Sequence, residues 1–198
     1  AVKSDGSVIT WGDPNFGGDS AAVKGSLRSS VTHICSTHEA FAAVKIDGSV
    51  ITWPGGSDYG GDSSAVQASL QSDVTHIYST DAAFAAVKSN GSVITWGDPN
   101  FGGNSAAVKG SLSSSITHIY STSGAFAAVK RDGSVITWGD PNFGGDSAAV
   151  KGSLRSSVTH ICSTHEAFAA VKIDGSVITW PGGSDYGGDS SAVQASLQ

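Results

Sequence analysis

The chain has 198 residues, 39% of them hydrophobic, and a formal charge of -6 from 11 basic and 17 acidic side chains. This length is enough to bury a core, and the composition differs from that of intrinsically disordered chains. No apolar stretch reaches the roughly 18 residues that a membrane-spanning helix needs. Because the chain is acidic and has no basic run, we predict neither a nucleic-acid partner nor a membrane partner.

An internal repeat dominates the sequence. Trp residues recur every 42 or 43 residues, each in the same local pattern (Trp11, Trp53, Trp96, Trp138 and Trp180). Residues 1–71 return as 128–198 with one difference, Ser4 against Arg131. We therefore predict a single tandem-repeat array over residues 1–198, with units 1–30, 31–73, 74–115, 116–157 and 158–198. A unit this small cannot bury its apolar face alone, so neighbouring units must stack.

The repeat unit at residues 116–157 shows the expected elements most clearly. Residues 116–121 alternate and are rich in β-branched side chains, which predicts a strand, and residues 125–130 predict a second strand of small residues. The Asp-Gly pair within residues 131–134 predicts a two-residue hairpin turn with positive φ. Residues 135–138 complete the unit's third strand.

The remainder of the unit is predicted to be a loop followed by a short helix. Residues 139–146 are almost all turn formers. Residues 147–154 place Val150 and Leu154 four positions apart behind an Asp-Ser cap, which favours a helix of one or two turns over an edge strand.

These elements resemble the repeat of the regulator of chromosome condensation family. The positions that carry the resemblance are Ile116, Ile119, Ala127, Val129, Asp132, Gly133, Val135, Trp138, Gly139 and Gly144, with their counterparts in the other units. The family's repeats form the blades of a β-propeller with partner-binding loops at the two ends of the ring. The resemblance therefore implies an all-β tandem-repeat propeller, here with about five trimmed blades and possible gaps. An open β-solenoid of stacked repeats is the alternative.

Histidine residues are the first candidates for chemistry. One recurs in each Thr-His-Ile segment (His33, His76, His118 and His160), and a metal would need several of them to converge. We expect packed or hydrogen-bonded strand residues instead. His38 and His165 each precede a Glu, Glu39 and Glu166, but neighbours in a loop seldom face one substrate. We therefore predict no catalytic residues.

Two further patterns are candidates for binding or redox sites. Asp13, Asn15 and Asp19 have the spacing of part of a calcium loop, but the bidentate Glu is missing, and such residues also satisfy turn and cap amides. Cys35 and Cys162 occupy equivalent positions that hold Tyr in other units, which indicates a half-buried strand position and no disulfide. We predict no cofactor-binding and no metal-binding residues.

The regular array of similar loops predicts a non-catalytic repeat scaffold for protein binding or self-assembly. The near-identity of the two blocks favours an alternative, an architectural fibre or coat. The family resemblance adds a third reading, the substrate-recruiting region of a larger ubiquitin ligase-like protein. Because the chain lacks Met and begins inside a unit, we expect a piece of a longer chain or polymer whose repeat faces associate head to tail.

Overall fold

The computed structural model describes residues 1–181 and 187–190, and there the chain forms four three-stranded antiparallel sheets. In each sheet the strands follow sequence order, with the second strand in the middle. The strands are β1 (Val31–Ser36), β2 (Phe41–Lys45), β3 (Val50–Trp53), β4 (Val74–Ser79), β5 (Ala83–Lys88), β6 (Val93–Gly97), β7 (Ile116–Ser121), β8 (Ala125–Lys130), β9 (Val135–Gly139), β10 (Val158–Ser163), β11 (Phe168–Lys172) and β12 (Val177–Trp180).

Short 3₁₀ helices follow the third strands and also occur in the first unit. Those in the described residues are Pro14–Phe16, Ala21–Val23, Ser64–Leu70, Pro99–Phe101, Ala106–Val108, Pro141–Phe143 and Ala148–Val150. The short helix predicted within residues 147–154 is therefore confirmed. Of the predicted Asp-Ser cap, Asp146 makes the capping bond: its carboxylate accepts the Ala148 N–H at 2.8 Å, whereas the Ser147 side chain makes no capping bond.

The predicted strands are confirmed, and the chain reverses at the predicted Asp-Gly hairpin, but the loop has three residues instead of two. Residues 131–133 form a longer loop, closed by bonds from Lys130 N–H to the Ser134 carbonyl and from Gly133 N–H to the Lys130 carbonyl, both at 2.9 Å. Gly133 has φ +75° and Asp132 does not have a positive φ, as expected for a turn followed by one left-handed residue. Asp132 accepts the backbone N–H and hydroxyl of Ser134, and these hydrogen bonds lower the pKa of Asp132.

Consecutive sheets pack face to face, and the core lies between them. At one such interface, the small side chains of β8 contact large side chains of the next sheet; the residues are Ala125, Ala127, Val129, Ile161, Phe168 and Trp180. Side chains alternate across β8, so its other face lies in the interface with the preceding sheet. Phe126 and Ala128 pack there. The second and third sheets are thus each packed between two neighbouring sheets.

A hydrogen bond joins each blade's Trp to the preceding unit. The indole Nε1 donates to the carbonyl of a Gly 36 residues earlier; the pairs are Trp53–Gly17 (3.1 Å), Trp96–Gly60 (2.9 Å), Trp138–Gly102 (3.0 Å) and Trp180–Gly144 (3.0 Å). In the same blade, Phe126 stacks on Trp138 with ring centroids 5.1 Å apart. The indole is therefore buried with its one polar atom satisfied.

The first unit has no three-stranded sheet in this structure. A single antiparallel bridge joins Val2 to Val8, and the chain continues into the two 3₁₀ helices that begin at Pro14 and Ala21. Trp11 is 73% exposed.

We expect Gly102→Ala to destabilise the protein by roughly 2 kcal/mol. Gly102 has φ +95°, and a Cβ there would lie 2.6 Å from the Phe126 ring, beneath the Trp138 indole. Gly110→Ala is the matched control, because no atom lies within 4 Å of its added Cβ. Urea denaturation measures both free energies of unfolding, and equal values for the two variants would contradict the packing described.

Candidate functional site

Loops between the first and second strands of each blade lie together at one end of the molecule. We call them the loop row; they are residues 37–40, 80–82, 122–124 and 164–167. Each loop begins with a Thr whose hydroxyl fixes its shape. In the third, the Thr122 hydroxyl donates to the Phe143 carbonyl at 2.8 Å and accepts the Ala125 N–H at 3.1 Å. The second and third loops are therefore held against the 3₁₀ helix of their own units, and the first loop is held against the turn at Tyr59.

Backbone hydrogen bonds connect the loop row from blade to blade. The His38 N–H donates to the Asp81 carbonyl at 2.9 Å, the Asp81 N–H to the Ser123 carbonyl at 2.9 Å, and the Ser123 N–H to the His165 carbonyl at 3.0 Å. Because backbone atoms make these bonds, they do not depend on the side chains, which differ between loops. The loop row is one continuous hydrogen-bonded structure that presents variable side chains at regular positions.

The loop row is polar and carries both histidine and carboxylate groups. His38 Nε2 lies 3.7 Å from Asp81 Oδ1 in the next loop, and His165 Nδ1 lies 3.7 Å from Glu166 Oε1 in its own loop. Both histidines are exposed, so these contacts are weak. The loops border a cavity of about 310 Å³ whose lining is mostly Ser and Thr hydroxyls. This surface can form many hydrogen bonds.

All four recurring strand histidines are exposed, and His76, His118 and His160 contact tyrosine rings. His76 and His118 stack on Tyr78 and Tyr120 of their own strands, with centroids 6.4 Å apart. His160 Nδ1 lies 3.1 Å from the Tyr120 hydroxyl of the preceding blade. Within residues 1–181 and 187–190, no group of three His, Cys, Asp or Glu side chains could hold a metal ion.

The residues with calcium-loop spacing serve the backbone. The Asp13 carboxylate accepts the Asn15 N–H at 2.9 Å, and the Asp19 carboxylate accepts the Ala21 N–H at 2.7 Å. Asp13 thereby caps the 3₁₀ helix that begins at Pro14. Both carboxylates are used in the turn and cap roles that the sequence also suggested.

The two cysteines occupy different environments although their surrounding sequences match. Cys35 is half-buried and its Sγ donates to Ser79 Oγ at 3.3 Å, whereas Cys162 is exposed. Burial raises the pKa of Cys35. Neither is in a disulfide. The half-buried strand position predicted from the sequence is found at Cys35 and at its counterparts Tyr78 and Tyr120, but not at Cys162, where no later blade is described.

The loop row could not be identified from the sequence. Its repeated signal was the Thr that opens each loop: Thr37, Thr80, Thr122 and Thr164. The residues that follow this Thr vary from unit to unit, so the sequence does not show that the loops share one backbone structure. His38, Glu39, His165 and Glu166, considered there as acid–base pairs, are part of this row. No helix in the described part of the chain is long and apolar enough to cross a membrane.

Comparison with known proteins gives the fold. No protein-family model matches the sequence, and no curated protein matches it. Among solved structures, Prp20p from Saccharomyces cerevisiae aligns with a TM-score of 0.54 at 15% identity, over 80% of this chain and 47% of that one. Yeast RCC1 (Prp20) bound to Kap60 aligns with a TM-score of 0.54 at 16% identity, over 80% and 45%. This is an RCC1-like repeat fold.

A plant propeller domain aligns as well. The CRINKLY WD40 ectodomain of the Arabidopsis thaliana receptor kinase ACR4 gives a TM-score of 0.50 at 14% identity, over 76% of this chain and 49% of that one. The prediction of an all-β tandem-repeat β-propeller is thus confirmed. The chain spans about half the length of these propeller structures.

We expect Cys162 to react with iodoacetamide several times faster than Cys35. Burial disfavours the Cys35 thiolate, which is the reactive form, whereas Cys162 is open to solvent. Tryptic peptides around the two residues are identical, so the rates are measured on the single variants Cys35→Ser and Cys162→Ser. Equal reaction rates of the two thiols would contradict the difference in burial between Cys35 and Cys162.

Proposed function

We propose that this chain is a non-catalytic repeat scaffold that binds a protein partner through the loop row. In this proposal residues 1–198 act as one tandem array of the five predicted units. The observation that carries it is the blade-to-blade bonding of His38, Asp81, Ser123 and His165, which holds exposed side chains at fixed spacing. A rigid row loses little conformational entropy when it binds, which favours affinity for an extended protein surface.

The chemistry of the loop row supports a protein partner with basic and hydrogen-bonding side chains. Glu39, Asp81 and Glu166 add negative charge to a surface that is otherwise rich in hydroxyls, and the whole chain carries a charge of -6. That charge would repel a nucleic-acid backbone. Prp20p, which has the same fold, is described as binding Gsp1p and histones, so a propeller of this type can bind proteins.

The threonine hydroxyls of the loop row also support the scaffold proposal, because they hold the loops in shape. Thr122 has its hydroxyl engaged in holding the loop, and the equivalent Thr80 donates to the Phe101 carbonyl at 2.9 Å and accepts the Ala83 N–H at 3.0 Å. These groups fix backbone geometry. In this proposal the variable residues after each Thr contact the partner.

Ser123→Arg tests this function. Ser123 lies in the middle of the loop row, and its hydrogen bonds to the neighbouring loops are made by backbone atoms. The substitution therefore adds bulk and charge without removing these hydrogen bonds. Ser114→Arg is the matched control, because Ser114 is exposed near the opposite end of the same blade.

Wild-type protein and both variants are immobilised, and the partner proteins that each one captures are quantified by mass spectrometry. We expect Ser123→Arg to reduce capture of a partner by roughly tenfold, whereas Ser114→Arg retains it. Affinity of the purified partner for each variant then gives the change directly. Equal capture by all three proteins would contradict binding through the loop row.

Self-association is the second candidate function. The observation that favours it is the near-identity of residues 1–71 and 128–198, since units this alike can pack against one another between chains as they do within one.

A further inference from the structure

The hairpins between the second and third strands of the blades lie at the end opposite the loop row. We call this surface the hairpin face; it consists of the hairpins at 45–49, 88–92, 130–134 and 172–176 and of the three residues before each first strand. Because a strand rises about 3.3 Å per residue, the six residues of β8 place the hairpin face roughly 17 Å from the loop row. The two surfaces are therefore opposite ends of the same blades.

Backbone hydrogen bonds connect the hairpin face from blade to blade. The Ile116 N–H donates to the Gly91 carbonyl and the Val158 N–H to the Gly133 carbonyl, both at 3.1 Å. In each pair the Gly belongs to the hairpin of one blade, and its partner begins the first strand of the next blade. The hairpin face therefore presents its side chains at a fixed spacing, one set per blade, as the loop row does.

Basic side chains outnumber acidic ones on the hairpin face. One Lys ends the second strand of each blade; these are Lys45, Lys88, Lys130 and Lys172. The arginines of this face are Arg28, Arg131 and Arg155. Its acidic residues are Asp47, Asp73, Asp132 and Asp174. The face thus has a net positive charge, although the whole chain has a charge of -6.

Ion pairs do not neutralise these basic groups. Among the residues that the structure describes, no Lys or Arg of the hairpin face forms an ion pair. The Lys88 Nζ donates to the Ser69 carbonyl at 3.1 Å, which leaves its charge uncompensated. The Asp132 carboxylate is engaged locally, since it accepts the N–H and the hydroxyl of Ser134. The arginine side chains are therefore available to an external partner.

The loop row has the opposite charge. Its acidic residues are Glu39, Asp81 and Glu166, and its sequence contains no Lys or Arg. Asp98 and Asp140 lie beside it, because their N–H groups donate to carbonyls of the second and third loops, both at 2.9 Å. The distance between the two surfaces exceeds the Debye length of about 8 Å at physiological ionic strength. The two sets of charges therefore do not neutralise each other within one molecule.

Both charged surfaces follow the same repeat. Each of the four described blades contributes a Lys to the hairpin face and at least one carboxylate in or beside the loop row. If one array is placed on another along the axis of the blades, blade lies over blade, and each positive position meets a negative one. A single exposed ion pair stabilises little, but pairs formed together by a rigid array reinforce one another.

We propose that the hairpin face of one copy of this chain binds the loop row of a second copy, so that copies stack along the axis of the blades. This inference rests on the proposed function of the loop row and names a second copy as its partner. Ile46 and Ile173, each 80% exposed on the hairpin face, add apolar area to the contact. Because the two surfaces differ, each added copy offers a new surface of either kind, and the stack stays open.

Two charge-reversal variants test the stacking. Arg131→Glu with Arg155→Glu reverses the net charge of the hairpin face, and Glu39→Lys with Glu166→Lys reverses that of the loop row. Both variants should fold, because the equivalent positions in other units hold uncharged residues. Examples are Ser89, Gln71 and Ala82.

Sedimentation velocity measures association of each protein at low salt, about 50 mM. We expect the wild type to associate and each variant alone to remain a monomer, because its two ends then carry the same sign of charge. An equimolar mixture of the two variants should associate, since the acidic loop row of one meets the basic hairpin face of the other. Raising the salt to about 500 mM should weaken association of the wild type at least tenfold.

Lys109→Glu with Lys151→Glu is the matched control. It changes the net charge by the same amount as the hairpin-face variant, but these exposed lysines follow the 3₁₀ helices that contact β9 and β12. This protein should associate like the wild type. Circular dichroism of all variants establishes that they retain the fold, so a loss of association can be assigned to the reversed surface.

Three outcomes would overturn the proposal. The first is wild-type protein that stays monomeric at low salt, and the second is association that neither the variants nor salt weaken. The third is binding of a short DNA duplex that Arg131→Glu with Arg155→Glu abolishes, without self-association, which would assign the hairpin face to a polyanion. If the wild type is monomeric but Ser123→Arg still reduces capture of another protein, the function of the loop row stands and this inference alone fails.

Discussion

Each blade depends on burial of one indole by two units at once. The Trp ring is stacked on a Phe of its own blade, and its N–H donates to a Gly carbonyl of the unit before it. A large ring with one polar atom can be buried only if that atom has a partner. The backbone that supplies the partner lies against the Phe ring, so the position requires Gly.

This constraint makes the blades interdependent. A blade alone would expose its Trp ring and the small residues of its middle strand to water, so its stability comes largely from its neighbours. The same constraint explains the difference between equal sequences: Trp138 follows a complete strand pair and is buried, whereas Trp11 does not and is exposed. The burial of each indole thus depends on the strand pair before it as well as on the local sequence.

The sequence was most informative where structure is local. Alternation predicted β7, and a run of small residues predicted β8, each with the bounds observed; the spacing of Val150 and Leu154 predicted a short helix. The hairpin was predicted in the right place but one residue too short, because an Asp-Gly pair suits several turn types. Only Asp146 of the predicted Asp-Ser cap makes the capping bond, although both residue types can cap a helix.

Features that join residues of different units could not be predicted from the sequence. The backbone bonds of the loop row connect positions about one repeat apart, and no side-chain pattern marks them. The Trp138–Gly102 hydrogen bond also joins two units. Both residues recur in the sequence, but only the packing of the blades brings them together. The histidines were placed correctly on strands, but the text did not show that His160 of one blade meets Tyr120 of another.

Hydrogen exchange of the tryptophan indole N–H groups, followed by ¹⁵N NMR, measures the burial of each indole. We predict four protected indoles and one that exchanges rapidly, and Trp11→Phe should remove the rapid signal alone. Rapid exchange at Trp53, Trp96, Trp138 or Trp180, or a Trp11 indole as protected as theirs, would contradict burial of each indole between two units.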